Sequence, residues 1–161
     1  MNIQLGYQPG AIGRIAQLHA AFYSRTAHFG APFEAKVAME LAQFCLTYQP
    51  DRDGLWLAEQ DGVIHGSIAI DGSRSEEKGA HLRWFIASDE CKGQGVGSRL
   101  LEAAMAFCEA RGYRRVYLWT FDQLQVARRL YEKHGFRLAQ TERGSQWGRE
   151  VNEHLFVLGD A

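Results

Sequence analysis

The chain has 161 residues, 46% of them apolar and 12% aromatic, and no Pro/Gly/Ser-rich segment or change in composition divides it. These values exclude a disordered chain and predict a single domain, residues 1–161, with a sizeable core. Eighteen Lys and Arg residues against nineteen Asp and Glu give a formal charge of −1. The chain therefore lacks the basic excess typical of nucleic-acid binding, and only a local basic patch around Arg111, Arg114 and Arg115 stays open.

The cysteines and the N-terminal segment indicate the compartment. Cys45, Cys91 and Cys108 are odd in number and have no CxxC spacing, so neither a disulfide framework nor a zinc site is expected. The six histidines show no metal-ligand spacing, and no metal is expected. Residues 1–8 do not resemble a targeting segment, and no stretch reaches the roughly 18 to 20 apolar residues of a membrane span. We therefore expect a cytoplasmic protein with no membrane partner.

Apolar periodicity predicts strands and helices along the whole chain. A short strand at 3–7 precedes helices over 12–22 and 33–45, and strands at 55–58 and 63–70 flank an Asp61-Gly62 turn. A buried strand at 80–87 precedes a helix over 96–108. The remaining predicted elements are a strand at 116–120, a helix over 126–134 that ends at Gly135, and closing strands at 136–138 and 154–158. This order predicts an α/β layered domain with a mixed sheet.

The most informative segment is Lys92-Gly93-Gln94-Gly95-Val96-Gly97-Ser98, between a predicted strand and a predicted helix. Alternate glycines allow tight turns and expose backbone N–H groups, and a helix N-terminus attracts anions, so a phosphate or pyrophosphate is the expected ligand. The spacing matches neither the P-loop pattern GxxxxGK[ST] nor the dinucleotide pattern GxGxxG. A plain glycine turn is the alternative.

Residues 82–136 resemble the GCN5-related N-acetyltransferases. Lys92–Gly97 matches the family's glycine motif except at its first position, where Lys92 replaces Arg or Gln, and residues 127–136 resemble its Ala-x-x-Leu-Tyr-x-x-x-Gly-Phe motif. Residues 118–120, 127–131 and 146–148 look most like the acetyltransferase half of bacterial MarR-type regulator fusions. The resemblance implies a mixed, mostly antiparallel sheet of about six or seven strands, splayed in the middle and flanked by about four helices.

The resemblance also implies a binding mode for acetyl-coenzyme A, the acetyl donor. Its pantetheine arm would lie between the strand that ends at Ala87 and the strand at 116–120, and its pyrophosphate would lie on the glycine loop. Tyr131 would protonate the departing thiolate. The expected cofactor contacts are Phe85, Ile86, Ala87, Lys92, Gly93, Gln94, Gly95, Val96, Gly97, Ser98 and Ala127.

The expected reaction is direct attack by a primary amine of a small molecule or peptide on the acetyl carbonyl, polarised by a backbone N–H. An alkylamine must lose a proton, and His81 is the candidate base, ahead of Asp122 and Glu90. The acceptor pocket is expected around residues 22–33 and 140–153. Its candidates are Tyr23, Phe29, Phe33, Trp147, Glu34, Glu142 and Glu150. A homodimer is left open, and the alternative function is a non-catalytic acyl-coenzyme A sensor or interaction module.

Overall fold

The computed structural model describes residues 1–159, which form seven strands and four α-helices. In chain order these are β1 Asn2–Leu5, α1 Ala11–Ala27, α2 Ala31–Leu46, β2 Gly54–Gln60, β3 Val63–Asp71, β4 Ala80–Ala87, α3 Val96–Ala110, β5 Arg115–Phe121, α4 Gln125–Lys133, β6 Arg137–Gly144 and β7 Val151–Gly159. A single 3-10 turn, Asp89–Cys91, joins β4 to the loop before α3. The predicted fold class is confirmed, while the last two residues of the predicted domain lie outside the described part.

All seven strands belong to one sheet, with the order β1-β2-β3-β4-β5-β7-β6. Only β4 and β5 pair in parallel, and every other neighbouring pair is antiparallel. The parallel connection is made by α3, as a crossover between parallel strands requires. None of the helices in residues 1–159 is long and apolar enough to cross a membrane.

Two turns occur where glycine was predicted to set them. Asp61 and Gly62 both have positive φ, 53° and 79°, which is the backbone of the two-residue hairpin turn that joins β2 to β3. Gly135 has φ 93°, and the N–H of Phe136 donates to the Tyr131 carbonyl at 3.0 Å, so α4 ends in a left-handed cap.

The sheet separates two hydrophobic cores. One lies under α3 and α4 and includes Leu100, Leu101 and Phe156, which are fully buried. The other lies under α1 and α2 and includes Ile15 and Leu41. On that second face α1 packs on β3 and β4. The alternate side chains of β5 there line a cavity.

The last two strands are longer than predicted, since β6 covers Arg137–Gly144 and β7 covers Val151–Gly159. Nearly every residue of β6 is exposed, because β6 is the edge strand of the sheet. An edge strand without a buried face does not alternate apolar and polar residues. The apolar pattern that predicts a strand therefore ends where the side chains become exposed.

Candidate active site

The site is organised by a gap between β4 and β5. The two strands pair only through Ala80 with Val116 and His81 with Tyr117, after which they diverge. The second half of β4, including Phe85, Ile86 and Ala87, therefore presents its backbone to the gap without a strand partner on that side. Free N–H and C=O groups in such a position can bind a ligand that has amide groups.

A β-bulge shapes β4 at the gap. β3 and β4 pair as Ser67 with Ile86 and Ala69 with Arg83, so one residue of β3 faces both Trp84 and Phe85. Trp84 has φ 47°, an unusual value for a bulky residue, and its carbonyl accepts a hydrogen bond from the Ser67 hydroxyl at 2.7 Å. The bulge turns the Trp84 side chain into the core below α1 and α2.

The glycine loop lies past the end of β4 and leads into α3. Gly93 and Gly95 have φ 77° and 68°, and Gly95 is the N-cap of α3, with no side chain capping the helix. The first N–H groups of a helix have no intrahelical acceptor, and no acidic residue lies in the first turn of α3. The loop is exposed, as is Lys92. The N–H groups of Lys92 and Gln94 donate to backbone carbonyls within the loop, so those of Gly93, Gly95 and the first turn of α3 are the ones open to an anion.

Tyr131 lies on α4 with its ring between β4 and the core. The ring centroid is 5.9 Å from that of Phe85 and 5.9 Å from that of Phe136, and the side chain is 6% exposed. Burial raises the pKa of Tyr131 far above that of a free phenol. The hydroxyl therefore keeps its proton at any physiological pH and can act as a hydrogen-bond donor.

His81 opens β4 and stacks on Tyr117, with ring centroids 4.5 Å apart and planes at 15°. Burial, and then the charge of Arg83, lowers the pKa of His81 to about 3. The imidazole is therefore neutral at pH 7. A neutral imidazole can accept a proton, although a group of such low pKa is a weak base.

A cavity of about 800 Å³ lies at the gap between β4 and β5 and is lined from both faces of the sheet, by residues of α1, α2 and α4. Its volume is within the range of small-molecule sites. It brings together Tyr131, His81 and Phe85. The glycine loop, Ile86, Ala87 and Ala127 do not line this cavity. Ala127 is partly buried on α4 and packs against the α3-side core.

Some of the residues predicted to form an acceptor pocket line this cavity. Tyr23, Phe33 and Trp147 line the cavity, and Phe29 packs behind them, 5.0 Å from Phe33 between ring centroids. The carboxylates Glu34, Glu142 and Glu150, the other candidates, are exposed and none lines the cavity. They lie on the outer side of α2 and on the β6–β7 hairpin.

The charged groups of the cavity wall were missed, among them Lys36, Glu40 and Arg83. Glu40 of α2 forms ion pairs with Lys36 and with Arg83. Burial raises the pKa of Glu40, but the hydrogen bonds from Lys36 and Arg83 outweigh this and lower it overall. Arg83 is two residues after His81 and so faces the same side of β4, which period-two alternation predicts.

The comparisons with known proteins agree with this geometry. The model of the acetyltransferase (GNAT) family matches residues 14–136. The chain belongs to this family.

Individual relatives match over shorter stretches. Human N-acetyltransferase 8B is 28% identical over 102 residues, 62% of this chain and 45% of that protein. Mouse N-alpha-acetyltransferase 80 is 42% identical over 82 residues, 51% of this chain and 25% of that protein. The chain spans from 45% to 59% of the length of the first curated relatives it matches.

A solved structure shares the fold over the whole chain. It is a Salmonella typhimurium protein whose structure holds its cofactor acetyl-coenzyme A. It superposes with a TM-score of 0.70 and 17% identity, over 100% of this chain and 96% of that chain.

Proposed function

We propose that this chain transfers the acetyl group of acetyl-coenzyme A directly to a primary amine of a small molecule or peptide. The observation that supports this most strongly is the arrangement along β4. Its middle borders the cavity that contains Tyr131, its second half is unpaired, and its end leads to the uncapped N-terminus of α3. The N-terminus of α3 suits the phosphates of a donor, and the cavity suits an uncharged reacting centre. The same strand, β4, leads from one to the other.

The residues present fit coenzyme A. The N–H groups of Gly93, Gly95 and the first turn of α3, together with the charge of Lys92, would hold the pyrophosphate. Lys92 Nζ lies 3.8 Å from Asp89 and its side chain is 82% exposed, so it is free to turn toward an anion. The unpaired backbone of Phe85, Ile86 and Ala87 would hold the pantetheine amides, with Ala127 on the opposite wall.

Bound acetyl-coenzyme A would supply a thioester, whose carbonyl carbon bonds to the amine nitrogen as its bond to sulfur breaks. In this reaction the phenol of Tyr131 donates a hydrogen bond to the sulfur position. Its raised pKa keeps the hydroxyl protonated but makes it a weaker acid, so full proton transfer requires that burial also raise the pKa of the thiol. Backbone N–H groups at the β4 bulge are the donors available to the carbonyl oxygen.

The amine nitrogen loses a proton, and His81 is our proposed acceptor for it. His81 lines the same cavity as Tyr131 and is neutral at pH 7. Because its pKa is low, proton transfer to water must follow at once. The two other candidates, Asp122 and Glu90, do not line this cavity.

Four finer predictions belong to the same proposal. The relationship to the acetyltransferase half of MarR-type fusions rests on residues 118–120, 127–131 and 146–148. The cytoplasmic location rests on the cysteine pattern. A homodimer through the edge of the sheet, and the absence of nucleic-acid and membrane partners, also stay predictions.

Release of free coenzyme A across a panel of amines tests the proposal. Amino acids, polyamines, peptides and arylamines should be compared, with acetyl-coenzyme A binding measured in parallel. Turnover that depends on an added amine is expected. Tight binding with no turnover on any amine would instead support the non-catalytic acyl-coenzyme A sensor, and no binding would contradict both.

A further inference from the structure

The cavity has the shape of a groove that follows β5. Arg115, Tyr117, Trp119 and Phe121 alternate along this strand and all line the cavity. Six residue steps of a strand cover about 20 Å. The groove is therefore much longer than a single amino group needs, and its two ends differ in chemistry.

The end at Phe121 is aromatic. Tyr23, Phe33 and Trp147 surround Phe121 there, and ring centroids of Phe121 lie 5.8 Å from Tyr23 and 5.5 Å from Trp147. The carboxylate of Glu40, on α2, is already neutralised by Lys36 and Arg83. Aromatic ring faces attract a cationic amine more weakly than an unpaired carboxylate does. This end can therefore bind an amine without strongly stabilising its protonated form.

The end at Arg115 is basic. Glu77 pairs with Arg74, and Asp71, whose carboxylate accepts the N–H of Ser73 at 2.9 Å, keeps its charge. Three cations, Arg74, Lys78 and Arg115, and two carboxylates give this end a net charge of +1. Arg115 and Lys78 make no ion pair within residues 1–159, and the buried Nε of Arg115 has no hydrogen-bond partner there. A guanidinium with an unused buried N–H is suited to bind a carboxylate.

The Arg115 side chain is held in place from two sides. Its guanidinium lies 5.3 Å from the ring centroid of Tyr117, and Nη1 donates to the Lys78 carbonyl. Tyr117 is in turn stacked on His81. The cation is therefore positioned before any ligand arrives, which lowers the cost of binding.

We propose that the acceptor is an extended, peptide-like amine that reacts beside Trp119 while a carboxylate farther along it binds Arg115 and Lys78. Trp119 lies between Phe121 and Tyr117, the residue on which His81 stacks. From Trp119 to Arg115 is four strand residues, about 13 Å. An extended peptide covers about 3.3–3.6 Å per residue, so the carboxylate lies three to four residues from the reacting amine. A polyamine would place a second cation against Arg115 and is disfavoured. This inference rests on the proposed function.

Two sources could supply the carboxylate, and matched acceptors distinguish them. Tetra-alanine with a free C-terminus is compared with its C-terminal amide, and an octapeptide amide with Glu at position 4 is compared with the same peptide carrying Gln. In the pair that matches the natural source of the carboxylate, we expect kcat/KM to be at least about tenfold higher for the acid than for its neutral counterpart. Equal rates for acid and neutral members of both pairs would overturn the inference.

Variants locate the effect. Arg115→Gln and Lys78→Gln should each lower kcat/KM more for the acid than for the amide and so reduce the preference for the acid, and Arg115→Glu should favour an octapeptide with Lys at position 4. Arg114→Gln is the matched control, because Arg114 is exposed and does not line the groove. A preference that survives both neutral variants would show that the carboxylate binds elsewhere.

Binding separates this inference from the proposed function. Trp119 and Trp147 line the groove, so their fluorescence should report peptide binding without turnover. Tighter binding of the acid than of the amide, lost in Arg115→Gln, would support the inference even if no amine were acetylated. Binding without any such difference would overturn it.

Discussion

Tyr131 is the residue with the most specific chemistry in the cavity. Replacing it with Phe removes the hydroxyl and leaves its contacts with Phe85 and Phe136 in place. If the hydroxyl donates to the departing sulfur, kcat should fall roughly hundredfold. The Kd of acetyl-coenzyme A should change by no more than about twofold, because only transition-state stabilisation is lost.

Steady-state kinetics and cofactor titration measure these two effects. Tyr48→Phe is a matched control, since it removes a hydroxyl from a half-buried tyrosine outside the cavity. An unchanged kcat in Tyr131→Phe would leave Tyr131 as a core aromatic residue and would remove it from the mechanism.

The low pKa of His81 predicts how kcat/KM depends on pH. Since burial and Arg83 lower its pKa to about 3, it is neutral throughout pH 5–9 and should add no ionisation to the kcat/KM profile in that range. The acidic limb should follow the acceptor amine. His81→Gln should lower kcat and leave the shape of the profile unchanged.

The profile is measured for one acceptor in both proteins. A limb near pH 6.5 that disappears in His81→Gln would show a base with an ordinary pKa and contradict the burial effect. An unchanged kcat would contradict the role of His81 as proton acceptor.

At the scale of single elements, two glycines at the N-terminus of α3 differ in how well they tolerate a side chain. Gly95 has φ 68°, which strains any other L-residue, whereas Gly97 is helical and an added Cβ would meet only Leu130 and Phe85, at 3.5 and 3.6 Å. Gly95→Ala should therefore destabilise the protein by about 1 kcal/mol and weaken acetyl-coenzyme A binding severalfold. Gly97→Ala should be neutral or stabilise by up to about 1 kcal/mol.

Urea unfolding and cofactor titration distinguish the two positions. Gly95→Asn is a further control, because Asn tolerates a positive φ better than Ala and should retain more binding. Equal effects of Ala at Gly95 and Gly97 would mean that backbone conformation is not what the motif supplies.

Helices and strands with a buried face could be predicted from the sequence. Their irregularities depend on pairing with neighbouring strands, which the sequence pattern does not show. β4 and α3 were located within two residues because Leu82, Ile86, Leu100 and Leu101 are buried with regular spacing. β6 was mostly missed because its pairing with β7 depends on backbone hydrogen bonds and not on apolar side chains. The two motifs pointed to the glycine loop and to Tyr131, because backbone conformation constrains the glycines and core packing constrains the tyrosine.

The bulge in β4 and the length of the groove could not be predicted. Arg83, Trp84 and Phe85 read as an ordinary strand, and only the register against Ser67 and Ala69 shows the extra residue. The groove exists because α1 and α2 cover one part of the sheet and leave the side chains of β5 facing a cavity, which is a property of packing between distant segments. The sequence pattern did mark Arg115 as part of a basic patch, but not its position beside Tyr117.

For the whole molecule, a buried histidine makes the core under α1 and α2 sensitive to acid. The core under α1 and α2 contains His19, which is 5% exposed and hydrogen bonded through Nδ1 to the Ile15 carbonyl at 2.8 Å. Burial lowers the pKa of His19 to about 4, although the bond to Ile15 opposes this shift. The folded protein therefore requires a neutral imidazole inside one of its cores.

This requirement sets how stability changes with pH. As pH falls below about 6.5, His19 takes up a proton in the unfolded chain before it does so in the folded protein, so the free energy of unfolding decreases until pH reaches about 4. Between pH 7.5 and 5 this single group should cost about 2 kcal/mol. His19→Phe, which keeps a ring beside Tyr23, should lose that much less stability over the same range.

Urea denaturation of both proteins at the two pH values measures the difference directly, and the contribution of other buried groups cancels because it is common to both. His28→Asn is the matched control: His28 is exposed, and Asn tolerates its positive φ of 58°. An equal loss of stability in wild type and His19→Phe would mean that His19 is protonated at the same pH in the folded and unfolded protein, and that the core under α1 and α2 admits water to its imidazole.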